Sequence, residues 1–154
     1  SMPQTARDTR FVILGLVLLT TLFSACTTTI IESGAAAAAL PQISVERFLQ
    51  AANSRDLHGM GRIFGTTDGD YMETRRREDV EIQMEAISSI LEHQDYRIVR
   101  EEMVAGRSVP ATRIYVTLTV GNKAISNVPF VVVQTNDGRW LVEQVDLAMV
   151  MAGR

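Results

Sequence analysis

The chain is short of the residues that build disulfides, redox centres and metal sites. Its 154 residues include one cysteine and two histidines, His58 and His93. A single cysteine cannot form an intrachain disulfide, and two distant histidines without a third ligand do not match the spacing of zinc sites. We therefore expect a domain that is stabilised by packing and that binds neither a metal ion nor a cofactor.

Clustered positive charge is also lacking. The formal net charge is −3, and residues 1–25 contain two arginines and one aspartate, so the rest of the chain has 13 basic and 17 acidic residues and a net charge of −4. Binding of nucleic acid depends on Lys and Arg side chains that neutralise phosphates. The acidic balance argues against a nucleic-acid partner.

The three consecutive arginines at 75–77 are the one basic run. Three acidic residues follow within the next four positions, Glu78, Asp79 and Glu81. Charges of opposite sign at helical spacing pair with one another. The run therefore indicates a solvated helix start rather than a binding patch.

Apolar residues are concentrated near the N-terminus. The run Phe11 to Leu22 follows Arg7 and Arg10 and leads into Phe23-Ser24-Ala25-Cys26. This order resembles bacterial lipoprotein signal peptides, except that Phe23 stands where leucine is usual. The resemblance implies cleavage before Cys26, diacylglyceryl attachment to its thiol, acylation with groups such as palmitate, and anchoring in a bacterial cell envelope.

An uncleaved signal anchor is the alternative for the same segment. Residues 11–31 carry no charge, and a spanning helix needs about 20 apolar residues. Hydroxyl residues are frequent in the second half, which favours the lipoprotein interpretation. In both cases the positive flank precedes the apolar run, so we expect the domain to leave the cytoplasm and remain attached to a membrane.

Three regions follow from these patterns. Residues 1–25 are predicted to be the signal peptide or anchor, residues 26–42 a flexible tether, and residues 43–154 a single domain. The tether is inferred from low complexity, with five consecutive alanines between Gly34 and Pro41.

Within the domain the hydrophobic period changes from 3.6 to 2 near Asp95. Ser44 and Asp56 are expected to cap two short helices, and residues 75–92 form the clearest helix. Tyr96, Ile98, Arg100, Glu102 and Val104 are expected to share one face of the first strand. The pattern predicts an α+β domain, with helices on a curved four-stranded antiparallel sheet whose strands cover residues 96–104, 114–120, 128–134 and 140–147.

Two stretches, Phe48 to Leu57 (FLQAANSRDL) and Asn136 to Val142 (NDGRWLV), together with the element order, resemble the nuclear transport factor 2-like superfamily. The resemblance covers about residues 43–148 and implies a cone in which the sheet wraps helices around a pocket. The early strand usual in the family is not evident, except around 70–72. A cystatin-like sheet with one dominant helix is the competing architecture.

The resemblance also raises an enzymatic alternative, because some members are isomerases or dehydratases that use an Asp or His base with a Tyr or Asp donor in an apolar cavity. No complete set can be transferred to this chain. The available candidates are Asp70, Tyr71, His93, Asp95, Tyr96 and Tyr115.

Simpler interpretations exist for several of these residues. His93 lies at the end of the long helix, where a cap explains it, and His58 is expected to be solvated. Asp68, Asp70 and Glu73 lack the spacing of a calcium loop and indicate an acidic turn. The methionines are expected to fill gaps in the core.

Aromatic residues with polar tips are the best candidates for a pocket or partner surface, namely Trp140, Tyr115, Tyr71 and Tyr96. For Trp140 the alternative is an ordinary core position. The function expected is that of a membrane-tethered envelope lipoprotein whose domain binds a small apolar ligand or a protein partner without catalysis. Alternatives are the enzyme above or an accessory subunit of a membrane complex, and the domain is a candidate homodimer through its sheet.

Overall fold

The computed structural model describes residues 40–154. The predictions for the signal peptide, Cys26 and most of the tether lie outside the described residues and stay predictions. Among the described residues, no helix has both the length and the apolar character needed to cross a bilayer.

Two helices open the domain, α1 (Pro41–Ser54) and α2 (Leu57–Ile63). α1 begins at a proline, whose fixed φ suits the first helical position and whose missing N–H needs no partner there. The predicted cap at Ser44 is therefore wrong: Ser44 lies inside α1 and its hydroxyl donates to the carbonyl of Trp140 at 2.6 Å. Asp56 caps α2 as predicted, since its carboxylate accepts from the Gly59 amide.

A small hairpin and a one-turn helix follow: β1 (Gly65–Thr66), β2 (Gly69–Asp70) and α3 (Tyr71–Thr74). Phe64, just before β1, forms a parallel bridge with Val142 of the main sheet. The hairpin therefore lies beside one edge of the main sheet, and its strands cover 65–66 and 69–70 rather than 70–72. A Cβ at Gly65 would lie 2.3 Å from the Gly69 carbonyl oxygen, so this close approach requires glycine.

The long helix α4 (Arg77–Leu91) packs one apolar stripe against the core. Its buried side chains are Val80, Met84, Ile87, Ser88 and Leu91. The Ser88 hydroxyl donates to the carbonyl of Ala52 at 2.7 Å, which fixes α4 against α1. On the opposite side of the helix, Ile82 is 72% exposed.

The main sheet is an antiparallel meander, as predicted. Its order is β3-β4-β5-β6, and its strands are β3 (Asp95–Met103), β4 (Ala111–Val120), β5 (Lys123–Gln134) and β6 (Trp140–Val145). Each of the three ladders contains a register shift. Such bulges increase local twist and bend the strand, so three of them curve the sheet.

The bulge in β3 corrects the predicted facing of that strand. Ile98 pairs with Val116, and the next pair joins Arg100 to Tyr115, so Val99 is the extra residue. Tyr96 and Ile98 pack against the core, whereas Arg100 and Glu102 face the other way. The expected alternation through all five even-numbered residues is therefore wrong beyond Val99.

The concave face of the sheet is filled by side chains from the helices. The inward residues of the strands are buried or partly buried beneath α1, which contacts β4, β5 and β6, and α4 packs against α1 and α2. The largest members of this core are Phe48, Leu49, Met84, Leu91, Ile114, Leu118 and Phe130. In the described part of the chain, every buried side-chain polar atom has a hydrogen-bond partner.

A C-terminal helix, α5 (Leu147–Ala152), follows β6 directly. The predicted strand to residue 147 is too long, because Asp146 accepts from the Met149 amide and caps a helix there. Past α5, the Arg154 guanidinium donates to the carbonyls of Ser89 and Ile90 near the end of α4. This contact joins α5 to α4.

Burial on the two sides of α4 gives a matched test. We expect Ile87→Ala, at a position 5% exposed, to lower the free energy of unfolding by about 2–5 kcal/mol, because it leaves a cavity. Ile82→Ala on the exposed side of the same helix should change it by less than about 0.5 kcal/mol. Urea denaturation of both variants measures this, and equal effects would contradict the helix orientation.

Candidate functional site

The four predicted aromatic residues do not share one pocket. Tyr71 is buried, with its ring centroid 5.1 Å from that of Phe64. Tyr96 and Trp140 are partly buried against the core. Tyr115 lies between two inward residues of β4 and faces the opposite side of the sheet. Of the four, only Tyr115 is on the convex face.

Tyr115 is surrounded by charged side chains from β3 and β4. Cross-strand pairs join Arg100 to Tyr115, Glu102 to Arg113 and Arg97 to Thr117. Because these residues alternate with inward ones, their side chains lie together on the convex face. We call the group Arg97, Arg100, Glu102, Arg113 and Tyr115 the convex patch.

The convex patch is held by internal contacts. The Arg100 guanidinium carbon lies 3.7 Å from the centroid of the Tyr115 ring, which is cation–π geometry. Arg100 also pairs with Glu102 at 2.5 Å. A hydrogen bond from Tyr115 and one from Arg100 lower the pKa of Glu102 below its ordinary value. The patch presents an aromatic face, a fixed anion and several arginines.

A second polar cluster surrounds Arg139 at the β5–β6 turn. Its guanidinium donates to Asp70, Glu73 and Asp137, each at 2.9 Å. Asp70 is only 4% exposed, and its second oxygen accepts from the Glu73 amide at the start of α3. The cluster therefore fixes the β5–β6 turn to the β2–α3 segment.

Arg139 also pairs with acidic side chains of the predicted acidic turn at residues 68–73. Its hydrogen bond lowers the pKa of Glu73, and the Thr135 hydroxyl together with Arg139 lowers the pKa of Asp137. Asp70 and Glu73, two of the three acidic residues considered for a calcium site, are therefore paired with the Arg139 guanidinium. Within residues 40–154 no group of three or more His, Cys, Asp or Glu side chains is placed to hold a metal ion.

His93 joins α4 to α1. Its Nδ1 donates to the Leu91 carbonyl at 2.6 Å, and the Asn53 amide group donates to Nε2 at 3.3 Å and to the His93 carbonyl at 2.9 Å. The predicted capping contact is confirmed, with both ring nitrogens engaged. Asn53 was not singled out from the sequence, although Asn at a helix end commonly bonds nearby backbone.

His58 is half-buried rather than fully solvated. Its Nε2 donates to Glu81 at 2.6 Å, while Arg77 donates to the other ring nitrogen of His58 at 3.3 Å and to Glu81 at 3.1 Å. Hydrogen bonds with His58 and Arg77 lower the pKa of Glu81. Arg76 pairs with Glu78 as predicted, whereas Arg75 lies over the Tyr71 ring at 3.7 Å.

An open groove of about 520 Å³ lies between α1 and α2. Three of its four lining residues on α1, namely Arg47, Gln50 and Ser54, are outside the buried side of the helix, whereas Ala51 belongs to it. Charged and polar side chains line much of it: Arg47, Gln50, Ser54 and Asp56, with Ala51, Gly59 and Ile63. This lining does not suit a purely apolar ligand.

The Arg139 cluster predicts a pH-dependent stability. Arg139→Met leaves the buried Asp70 carboxylate without its cation, so we expect the free energy of unfolding at pH 7 to fall by about 1–3 kcal/mol. The folded-state pKa values of Glu73 and Asp137 are lowered. Their stabilisation is therefore present above their ordinary pKa values of 4.5 and 3.8 and is lost as the pH falls through the lowered values.

The difference between wild type and Arg139→Met should accordingly shrink below about pH 4. Denaturant titrations at a series of pH values measure this. Arg76→Met is the control, because Arg76 is 76% exposed and its removal should cost less than about 1 kcal/mol. A difference that grows in acid would contradict the assignment.

Comparisons of this chain with protein-family models, with curated proteins and with solved structures give no match. The α+β class, the four-stranded antiparallel sheet and the geometry of the convex patch are therefore established from the chain's own structure.

Proposed function

We propose that the chain is a bacterial envelope lipoprotein, anchored through acylated Cys26, whose α+β domain binds a protein partner through the convex patch. The observation that carries the partner site is the difference between the two faces of the sheet. The concave face is covered by the chain's own buried side chains. The convex face is buried in part, at Val133 and Leu141, and its remaining part presents Tyr115 with arginines and a carboxylate. Tyr and Arg are enriched where proteins bind one another.

The nuclear transport factor 2-like form is part of this proposal. Three bulged ladders curve the sheet around α1 and α4, and the β1–β2 hairpin lies beside the β6 edge. These features support a cone. They also place core side chains where a ligand pocket would lie in such a cone, which favours a partner over a small apolar ligand.

The enzymatic alternative has less support. Asp70 and Tyr71 are neighbours, as are His93 and Tyr96, so each pair has the residue types for acid–base catalysis. Both oxygens of Asp70 accept hydrogen bonds from Arg139 and the Glu73 amide, and both nitrogens of His93 are bonded as well. Such contacts suit structural roles. If the chain is an accessory subunit of a membrane complex, the protein bound by the convex patch would be a permanent partner.

The anchor is tested by the covalent state of Cys26. Mass spectrometry of the membrane-extracted chain should find residues 2–25 removed and acyl groups on Cys26. Cys26→Ser should retain the leader and carry no lipid, while Thr27→Ser, just outside the signal, should be processed as wild type. An unmodified Cys26 with residues 2–25 attached would exclude the lipoprotein and leave the signal anchor.

The partner site is tested by photo-crosslinking in intact cells. A photoreactive phenylalanine analogue at Tyr115 should give adducts of discrete mass, because it replaces an aromatic ring at the centre of the patch. The same analogue at Ile82, exposed on α4, is the control. No adduct from position 115, or the same adducts from both positions, would show that the convex patch is not the binding surface.

A further inference from the structure

The strand β3 is an edge of the main sheet. It pairs with β4 on one side, and among residues 40–154 no strand pairs with it on the other. Seven of its nine residues are exposed, including Met103 at 86%. A nine-residue edge about 30 Å long offers a row of backbone donors and acceptors to another strand.

The bulge at Val99 brings charged residues from both halves of this edge strand to the same face of the sheet. Asp95 and Arg97, before the bulge, face the convex side, and so do Arg100 and Glu102 after it. Without the bulge, odd-numbered and even-numbered residues would face opposite sides. The bulge thus makes it possible for Arg97 and Glu102 to be cross-strand neighbours in a two-fold pairing of β3 with a second copy.

One register of that pairing is complementary in charge. When Arg97 lies opposite Glu102 of the second copy, Tyr96 lies opposite Met103 on the concave side. The two-fold axis generates each pair twice. Opposite charges facing each other across two strands stabilise the pair, and an aromatic ring next to a methionine sulfur is favourable. The most exposed apolar side chain of the domain would become covered.

The adjacent register that keeps the faces matched is unfavourable. A shift by two residues would put Arg97 opposite Arg100 and Asp95 opposite Glu102, so like charges would face each other at every outward pair. Shifts by one residue would put outward side chains against inward ones. Of the registers compared, the charge pattern therefore favours the one with Arg97 opposite Glu102.

We infer that β3 pairs with β3 of a second copy, with Arg97 opposite Glu102, to form a continuous eight-stranded antiparallel sheet. The charges and the bulge that would repel unrelated strands become complementary in this pairing. Because an edge contact buries little area, the dimer should dissociate reversibly on dilution. The inference does not rest on the proposed anchor or on the partner of the convex patch.

Arg97 is the position for the decisive substitution. Within the described part of the chain Arg97 takes part in no ion pair, so Arg97→Glu should leave the monomer folded. In a dimer of this variant, two carboxylates would face each other at each of the two symmetry-related pairs between positions 97 and 102. We expect the dissociation constant of the dimer to rise about 10-fold or more.

The full chain, purified in detergent, is measured by native mass spectrometry over a dilution series. Restoring opposite charges in Arg97→Glu/Glu102→Arg should bring back most of the affinity, and Arg62→Glu, the same charge change on α2, should have no effect. Thermal unfolding of each variant confirms that it is folded. The amides of residues 97–102 should also exchange hydrogen more slowly as the wild-type concentration rises.

Two outcomes would overturn the inference. One is a wild-type chain that stays monomeric throughout the series. The other is a dimer whose dissociation constant is unchanged by Arg97→Glu. Since the purified sample contains a single protein, neither outcome bears on whether a different partner binds the convex patch in the cell.

Discussion

The packing of α1 on one face of the sheet, with α4 held against α1, is the constraint on which the rest of the domain depends. A four-stranded sheet has two faces, and here α1 covers the concave one, with α4 packed against α1 and α2. Alternation along β4 then assigns Ile114, Val116 and Leu118 to the core and leaves Arg113 and Tyr115 on the other side. The core is thereby filled by the chain itself. Ala111, Val133 and Leu141 lie on the convex side of the sheet and are buried as well, so the part of that face around Tyr115 is what remains for other molecules.

The bulges decide which side chains reach that convex face. Alternate residues of a strand face opposite sides of the sheet only while the ladder is regular. A single extra residue at Val99 reverses the side of the sheet that the later residues of β3 face. Arg100 can therefore lie over Tyr115, and Glu102 can accept its hydrogen bond. The same shift brings Arg97 and Glu102 to one face of the exposed edge, so one irregularity underlies both the patch and the pairing register.

Strong local signals made part of this predictable from the sequence. α4 has a long 3.6-residue period, Asp56 is a good N-cap, and Asn136-Asp137-Gly138 is a typical turn, and these were found in place. The bulges were not predictable from the sequence. There is no glycine at or beside Val99, and no sequence pattern indicates the positive φ of Asn127. The sequence therefore indicates Tyr115 but not the side chains around it. It also indicates Asp70 but not its partner Arg139, which lies 69 positions away.

Membrane attachment and edge pairing reinforce each other if both proposals hold. Gln42 at the start of α1 donates to Glu101 of β3 at 2.9 Å, so the start of α1 lies beside the pairing edge. Two paired copies would hold two lipid anchors on one rigid sheet, and the second anchor would insert at a high effective concentration. A contact too small to persist in dilute solution would then be sustained at a membrane. The convex patches of both copies would also lie on the same side of the joined sheet, because pairing through the edge leaves the patches uncovered.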